Sequence, residues 1–138
     1  MMIDVEDFET AKTMMTESQY HQNYSDEDIR RFIKPPLSLG NYIIMQDKNG
    51  LPFVFATWAF PEMWHVDEYF KTNKFPPKGF RGSGESPWII DFIAVGGVQN
   101  IRTGFRYLKD RFMEMGYIDC YWLRTESKKV GFHKLKEH

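Results

Sequence analysis

The stretch that decides the fold is SPWIIDFIAVGG, at residues 86–97. It is a continuous apolar run of strand length, rich in aromatic and β-branched residues, and it ends at a Gly-Gly pair. These features predict a central β-strand that is buried on both faces. Regular alternation along this strand would place Asp91 on one face with Ile89 and Ile93, and Ile90 on the opposite face.

Asp91 is the one charged residue in this run. Burying an unpaired carboxylate costs several kcal/mol, so a buried aspartate finds a partner or takes up a proton. A structural ion pair with Arg or Lys would explain Asp91, and so would a functional role. The strand pattern leaves both interpretations open.

A helix is predicted directly after Gly96 and Gly97. Its expected buried stripe consists of apolar residues at spacings of three and four: Val98, Ile101, Phe105, Leu108, Phe112 and Met115. A glycine turn between a strand and a helix leaves free backbone N–H groups at the helix start, which suits phosphate or another anion. Gly96, Gly97 and Val98 are therefore candidate anion-binding residues, although glycines also simply allow a helix to pack closely on its strand.

Three further helices and a hairpin are predicted ahead of the central strand. The first helix covers residues 5–16, and the second begins at Ser25 and must end before Pro35 and Pro36. The third covers residues 61–72 and would bury Met63, Val66 and Phe70. Residues 42–46 and 52–60 read as an antiparallel hairpin, because the Asn-Gly pair between them favours a tight reversal.

The order of strand, helix and strand around residues 86–124 predicts a βαβ unit with parallel strands and a right-handed crossover. Residues 117–124 form its second strand, and residues 130–135 are expected to add another. The fold class is therefore α+β: one domain over residues 1–138, with a mixed, mostly antiparallel sheet and helices packed on it. A cleft for an extended ligand is common beside such a parallel pair, as in acyl-CoA-type acyltransferases.

Composition excludes several classes of protein. No run of about 18 apolar residues exists, so we expect no membrane span. Acidic residues at the N-terminus replace the positive charge of a secretory signal, and we expect a cytoplasmic protein. A single cysteine, Cys120, excludes an intramolecular disulfide and reads as a core residue. The histidines show no i, i+4 pair, so no metal site is expected.

Charge is unevenly distributed, although the net charge is −1. Residues 1–30 hold eight acids and two bases, whereas residues 101–138 hold nine bases and five acids. Arg102, Arg106 and Lys109 form a row on the predicted helix, away from its apolar stripe. This basic row would suit an acidic protein surface, but an ordinary solvated helix face is the simpler interpretation. We expect no nucleic-acid partner.

Two motifs together resemble a known enzyme family. Ser18-Gln19-Tyr20-His21 supplies a Ser-x-x-His pattern ahead of the sheet, and residues 88–94 supply Trp-x-Ile-Asp-x-Ile-Ala within it. With the hairpin at residues 42–59 and Ser83-Gly84, they resemble the toxin-activating lysine acyltransferases over roughly residues 15–124. That family activates RTX haemolysins by attaching a fatty acyl group to internal lysines.

The resemblance implies a GNAT-like fold, a homodimer, and an acyl donor carried by acyl carrier protein instead of coenzyme A. It also implies that His21 is the catalytic histidine and Asp91 the catalytic aspartate, with a lysine of another protein as acceptor. A histidine can take the proton that a lysine amine must lose, and Asp91 would orient its ring. Ser18, or the N–H groups near residues 96–98, would stabilise the oxyanion or bind the donor's phosphate.

The basic row, including Arg102 and Arg106, would then receive the acidic carrier protein, and no tightly bound cofactor is expected. Two alternatives stay open. The glycine turn after the central strand is more GNAT-like than in the family, which favours an acyl-CoA-dependent N-acyltransferase acting on a small amine or a protein. The second alternative is a binding or structural protein that kept the fold but has no catalytic activity. It stays open because, from spacing alone, His21 reads as a surface loop histidine.

Overall fold

The computed structural model describes residues 3–124 and 129–135. Its helices are α1 (Val5–Thr16), α2 (Asp26–Asp28), α3 (Lys34–Leu39), α4 (Met63–Thr72) and α5 (Val98–Glu114). Its strands are β1 (Tyr42–Gln46), β2 (Pro52–Ala59), β3 (Trp88–Ala94), β4 (Asp119–Arg124) and β5 (Lys129–Lys134). Short 3₁₀ turns occupy His21–Asn23 and Pro77–Arg81. None of the helices in these residues is long and apolar enough to cross a membrane.

The five strands form one mixed sheet in the order β1-β2-β3-β4-β5, so the predicted central strand is central. All neighbouring strands are antiparallel except β3 and β4, which run parallel and are joined by α5. The predicted α+β class, with one parallel βαβ pair and helices on the sheet, is confirmed. The parallel pairing is short, because it joins Trp88 to Tyr121 and Ile89 to Trp122 and then stops.

A β-bulge in β3 changes the predicted alternation of its side chains. Thr57 pairs with Asp91, but the next residue of β2, Trp58, pairs with Ile89, so Ile90 is an extra residue in β3. Ile89 consequently packs with Trp58 on one face, while Asp91 lies on the other face with Ile93. The prediction that Asp91 and Ile89 share a face is therefore wrong, since a bulge shifts the alternation by one residue.

Helices cover both faces of the sheet. On one face, α5 buries Leu108 and Phe112 against the hairpin and Ile89. On the other face, α1 and α3 pack on Phe55 and Ile93, while α4 packs near Trp88 and Ile90. Cys120 is buried in the first of these clusters, as predicted, and burial raises the pKa of its thiol to about 11. The central strand is thus covered on both sides.

The helix that begins after Ser25 does not end before the prolines. Ser25 caps α2 in a capping box with Asp28, as predicted, but a π-helical turn at Ile29–Ile33 leads directly into α3, which contains Pro35 and Pro36. Both prolines lie in the first turn of α3, where no intrahelical N–H bond is required. Helical structure therefore continues through them.

Two predicted apolar stripes are only partly buried. In α4, Val66 is buried as predicted, but Met63 and Phe70 are 69% and 47% exposed, and His65 and Tyr69 are buried with Val66. In α5, Leu108 and Phe112 are buried as expected, whereas Val98, Ile101 and Met115 near the helix ends are exposed. The buried side of α4 is therefore rotated from the predicted stripe, and α5 does not bury the ends of its stripe.

Candidate active site

His21 is held by a tight local turn. The chain leaves α1 at Thr16 and forms the 3₁₀ turn His21–Asn23, which buries the imidazole to 6% exposure. The Ser18 Oγ lies 2.7 Å from His21 Nδ1 and accepts a hydrogen bond of 3.3 Å from the His21 backbone N–H. Residues three apart meet in such a turn, which is the physical basis of the Ser-x-x-His spacing.

Asp91 reaches the same ring from the sheet. Its Oδ1 lies 2.8 Å from His21 Nε2 and accepts a 2.9 Å hydrogen bond from the Tyr24 hydroxyl. Its backbone N–H donates to Thr57 Oγ1 at 3.2 Å. The carboxylate is 3% exposed, and its Oδ2 is buried without a hydrogen bond to any residue that the structure describes. Asp91 is therefore paired with a histidine, and the predicted alternative of an Arg or Lys partner is wrong.

Protonation of the ring follows from these contacts. A carboxylate oxygen only accepts hydrogen bonds, so Nε2 of His21 donates to Asp91 and carries the proton in the neutral ring. Nδ1 is then the basic nitrogen, and the Ser18 hydroxyl donates to it. Burial, together with the Asp91 charge, raises the pKa of Tyr24 far above its ordinary value, so Tyr24 remains a hydrogen-bond donor at neutral pH.

Two cavities have Asp91 and Ile90 in their walls. One, the inner cavity, has a volume of about 90 Å³ and is lined by His21, Ile89, Ile90, Asp91, Phe92, Phe105 and Trp122. It lies where β3 and β4 stop pairing. The other, the aromatic pocket, measures about 160 Å³ and is lined mainly by rings, with Asp28, Lys74, Asn73, Ile90 and Asp91 completing its wall. Its rings belong to Tyr20, Tyr24, Phe32, Tyr69 and Phe75.

The structure brings together Ser18, His21 and Asp91 among the predicted site residues. It leaves the others apart, since neither cavity is lined by Gly96, Gly97, Val98, Arg102 or Arg106. Five residues of extended chain separate Asp91 from Gly96, a span of about 16 Å. Gly96 and Gly97 have φ values of 96° and 111°, which glycine adopts without strain, and they turn the chain from β3 into α5.

Tyr24 and Thr57 are contacts of Asp91 that the sequence analysis missed. Tyr24 lies three residues after His21, at the same spacing that separates Ser18 from His21, and this repeat was its signal in the sequence. The sequence held no such signal for Thr57, because threonine is common in apolar strands like the one that contains it. Within the described parts of the chain, no three His, Cys, Asp or Glu side chains converge as a metal site requires.

Comparison with known proteins identifies the family of this chain. The model of the RTX toxin acyltransferase family matches residues 5–131, which include both motifs. The chain belongs to the RTX toxin acyltransferase family. The family resemblance seen in the motifs of the sequence is thereby confirmed, and the family is one of enzymes.

Curated relatives agree with this membership. The chain is 31% identical over 118 residues to the leukotoxin-activating lysine-acyltransferase of Mannheimia haemolytica serotype A1, covering 85% of this chain and 70% of the relative. It is 26% identical over 121 residues to the leukotoxin-activating lysine-acyltransferase of Aggregatibacter actinomycetemcomitans, covering 84% and 68%. An RTX-III toxin-activating lysine-acyltransferase of Actinobacillus pleuropneumoniae is 27% identical over 115 residues, covering 82% and 65%.

Proposed function

We propose that this protein is a lysine acyltransferase that moves a fatty acyl group from acyl carrier protein to the ε-amine of a lysine in another protein. The observation that carries the proposal is the buried pair of His21 and Asp91 at 2.8 Å, with Asp91 in the walls of two cavities, in a member of this family. An RTX-type toxin is the acceptor suggested by the names of the relatives.

The chemistry requires a base. A lysine amine has an ordinary pKa of about 10.4, so it is protonated at neutral pH and cannot attack a thioester. In the proposed reaction the ammonium first loses one proton to solvent. As the amine nitrogen then forms a bond to the thioester carbonyl carbon, His21 takes a second proton from it. The carbon–sulfur bond then breaks, and the thiol leaves with a proton from the imidazolium. General base catalysis of this kind contributes roughly 10²–10⁴-fold.

Asp91 and Ser18 have different parts in this scheme. Asp91 is fixed in the central strand and holds Nε2, which selects the tautomer and stabilises the charged imidazolium. Ser18 holds Nδ1 through a hydroxyl, and a hydroxyl can rotate away without moving the backbone. We infer that Ser18 orients the ring in the free protein and gives way to the amine during the reaction.

The inner cavity suits the thioester. It opens where β3 and β4 separate, its wall is mostly apolar, and His21 and Asp91 lie in it. The helix start at Gly97 lies too far from Asp91 to stabilise an oxyanion, but its uncapped N–H groups suit a phosphate at the other end of a long donor arm. Arg102 and Arg106 are exposed on the same helix and would meet the acidic carrier protein.

An acyl-CoA donor is the second candidate. The glycine turn before α5 favours it, because Gly97 has no side chain to cap the helix and its N–H groups are free for a pyrophosphate. In this case the basic row would have no carrier to bind. The same His21–Asp91 pair would deprotonate the acceptor amine.

The test compares both donors in one assay. The purified protein is incubated with acyl carrier protein bearing fatty acyl chains of several lengths, and separately with the matching acyl-CoA, and thioester loss and acyl transfer are followed by intact mass. We expect cleavage or transfer from the carrier protein that disappears in His21→Ala and persists in the exposed-neighbour control Gln22→Ala. No turnover with either donor and a range of lysine-containing acceptors would instead favour a binding protein.

We further propose that the protein acts as a homodimer, as the family resemblance implies, and in the cytoplasm, as the acidic N-terminus suggests. Sedimentation velocity on the purified chain tests the assembly. A monomer at all concentrations would contradict it without affecting the proposed chemistry.

A further inference from the structure

The aromatic pocket offers a second approach to Asp91. Asp91 and Ile90 line both this pocket and the inner cavity, so the residue that holds His21 borders both spaces. One oxygen of that carboxylate, Oδ1, is occupied by His21 and Tyr24. The other, Oδ2, is buried and has no hydrogen bond from the described residues. A buried carboxylate oxygen of this kind gains most from a cationic donor.

The wall of the pocket combines two chemical properties. Ten of the described residues line it, and five of these are aromatic, including the buried Tyr69 and Phe75. Of the other described lining residues, Asp28 and Asp91 are acids and Lys74 is basic. Aromatic faces bind both alkyl chains and cations, and carboxylates bind cations. The pocket therefore matches an unbranched apolar stem that ends in a positive charge.

We propose that the aromatic pocket receives the side chain of the acceptor lysine, with its stem against the rings and its ammonium at Asp91. This inference rests on the proposed function, because it assigns the acceptor side of the same site. A fatty acyl chain fits the pocket less well, since it carries no charge to offset the desolvation of two carboxylates. At about 160 Å³ the pocket has room for a chain of several carbon atoms.

Separate spaces for amine and thioester have a consequence for the order of binding. The lysine approaches Asp91 through the aromatic pocket, and the acyl group approaches through the inner cavity. Both substrates can then be bound at once, and neither must leave before the other arrives. Asp91 holds the ammonium until it loses its first proton, and the amine then meets the acyl group at His21 Nδ1, the nitrogen that Ser18 releases.

Binding of a model amine to the free protein tests the pocket without any turnover. The probe is Nα-acetyl-lysine methylamide, and its matched control is Nα-acetyl-norleucine methylamide, which has the same stem without the ammonium. Binding is measured by NMR shifts of the pocket residues. A ligand of this size is expected to bind at about millimolar concentration. We expect the lysine derivative to shift Tyr69 and Phe75 and the norleucine derivative to bind more weakly.

Variants that change the charge of the pocket provide a second test of lysine binding. Asp28→Asn removes one acid but keeps an oxygen for its bond to the Ser25 N–H, and we expect lysine binding to weaken about two- to fivefold. Lys74→Glu should strengthen it by a similar factor. The matched controls are Asp26→Asn and Lys71→Glu, because both residues are exposed and neither lines the pocket.

The outcomes separate this inference from the proposed function. Three results would overturn the lysine assignment, even if acyl transfer is observed. The two derivatives could bind equally, neither could bind, or lysine binding could be the same in wild type, Asp28→Asn and Lys74→Glu. Selective lysine binding in a protein that cleaves no donor would support the pocket and leave the acyltransferase proposal contradicted.

Discussion

His21 Nε2 lies 2.8 Å from Asp91 Oδ1, although 70 positions separate the two residues in the chain. The contact depends on two local irregularities: a 3₁₀ turn that aims the imidazole and a β-bulge that turns Asp91 towards it. Bulges are common beside active sites because they redirect a side chain without ending the strand. The contact between these two residues thus depends on the backbone geometry around each of them.

Replacing Asp91 with asparagine should impair acyl transfer severely. A neutral amide cannot stabilise an imidazolium and can favour the wrong tautomer of His21, so we expect Asp91→Asn to lower kcat about 10²–10⁴-fold. The rate is measured with acyl carrier protein as donor, beside Asp110→Asn on the exposed face of α5 as control. A folded Asp91→Asn protein with wild-type kcat would contradict the role given to Asp91.

Ser18→Ala tests whether Ser18 orients His21 or carries the acyl group. We expect transfer to fall only about tenfold, because Asp91 still holds the ring and the lost contact is one hydrogen bond of roughly 1.5 kcal/mol. Intact mass of the wild-type protein with donor alone should show no acyl group on Ser18. A trapped Ser18 ester, together with complete loss of activity in the variant, would identify a nucleophile instead.

Tyr24→Phe should change how stability responds to alkaline pH. The pKa of Tyr24 is raised in the folded protein, so above about pH 10 the unfolded chain loses this proton while the folded protein keeps it. The free energy of unfolding then falls by up to ~1.4 kcal/mol per pH unit for this group.

Tyr24→Phe removes that contribution but also one hydrogen bond to a buried carboxylate, worth about 1.5–3 kcal/mol. We expect the variant to be less stable at pH 7 and the difference from wild type to shrink above pH 10. Urea unfolding from pH 7 to 11 measures the free energy of unfolding of wild type and variant, with Tyr107→Phe at an exposed tyrosine as control. A constant difference over this range would show that Tyr24 ionises normally.

Charge reversal on α5 should distinguish the two donors. Arg102→Glu with Arg106→Glu would repel an acidic carrier protein, so we expect KM for acylated carrier protein to rise more than tenfold at low salt. KM for the matching acyl-CoA should change much less, and the effect should shrink at high ionic strength. Arg30→Glu serves as the charge control, because the Arg30 side chain is exposed and lies outside α5. Equal losses with both donors would refute carrier binding by this row.

Most secondary structure could be predicted because it follows from local pattern. The apolar run at residues 86–97, the Asn-Gly turn of the hairpin and the Ser25 cap of α2 each specify their element within a few residues of chain. Predictions failed where packing selects the buried side of a helix: Met63 and Phe70 have helical spacing, yet α4 buries the side that carries His65, Val66 and Tyr69. Pro35 and Pro36 were expected to end a helix, but a π-helical turn connects α2 to α3, and helical structure continues through both prolines.

Spacing and composition were enough to predict the fold class, because they act between near neighbours in the chain. The candidates Ser18, His21 and Asp91 came from motifs that resemble those of the family, since spacing alone left their roles open. The long-range contacts could be seen only in the folded chain: Tyr24 and Thr57 join Asp91, Ile90 forms the bulge, and two cavities border the carboxylate. Such contacts depend on strand register and on how helices close over the sheet, and long-range packing fixes both.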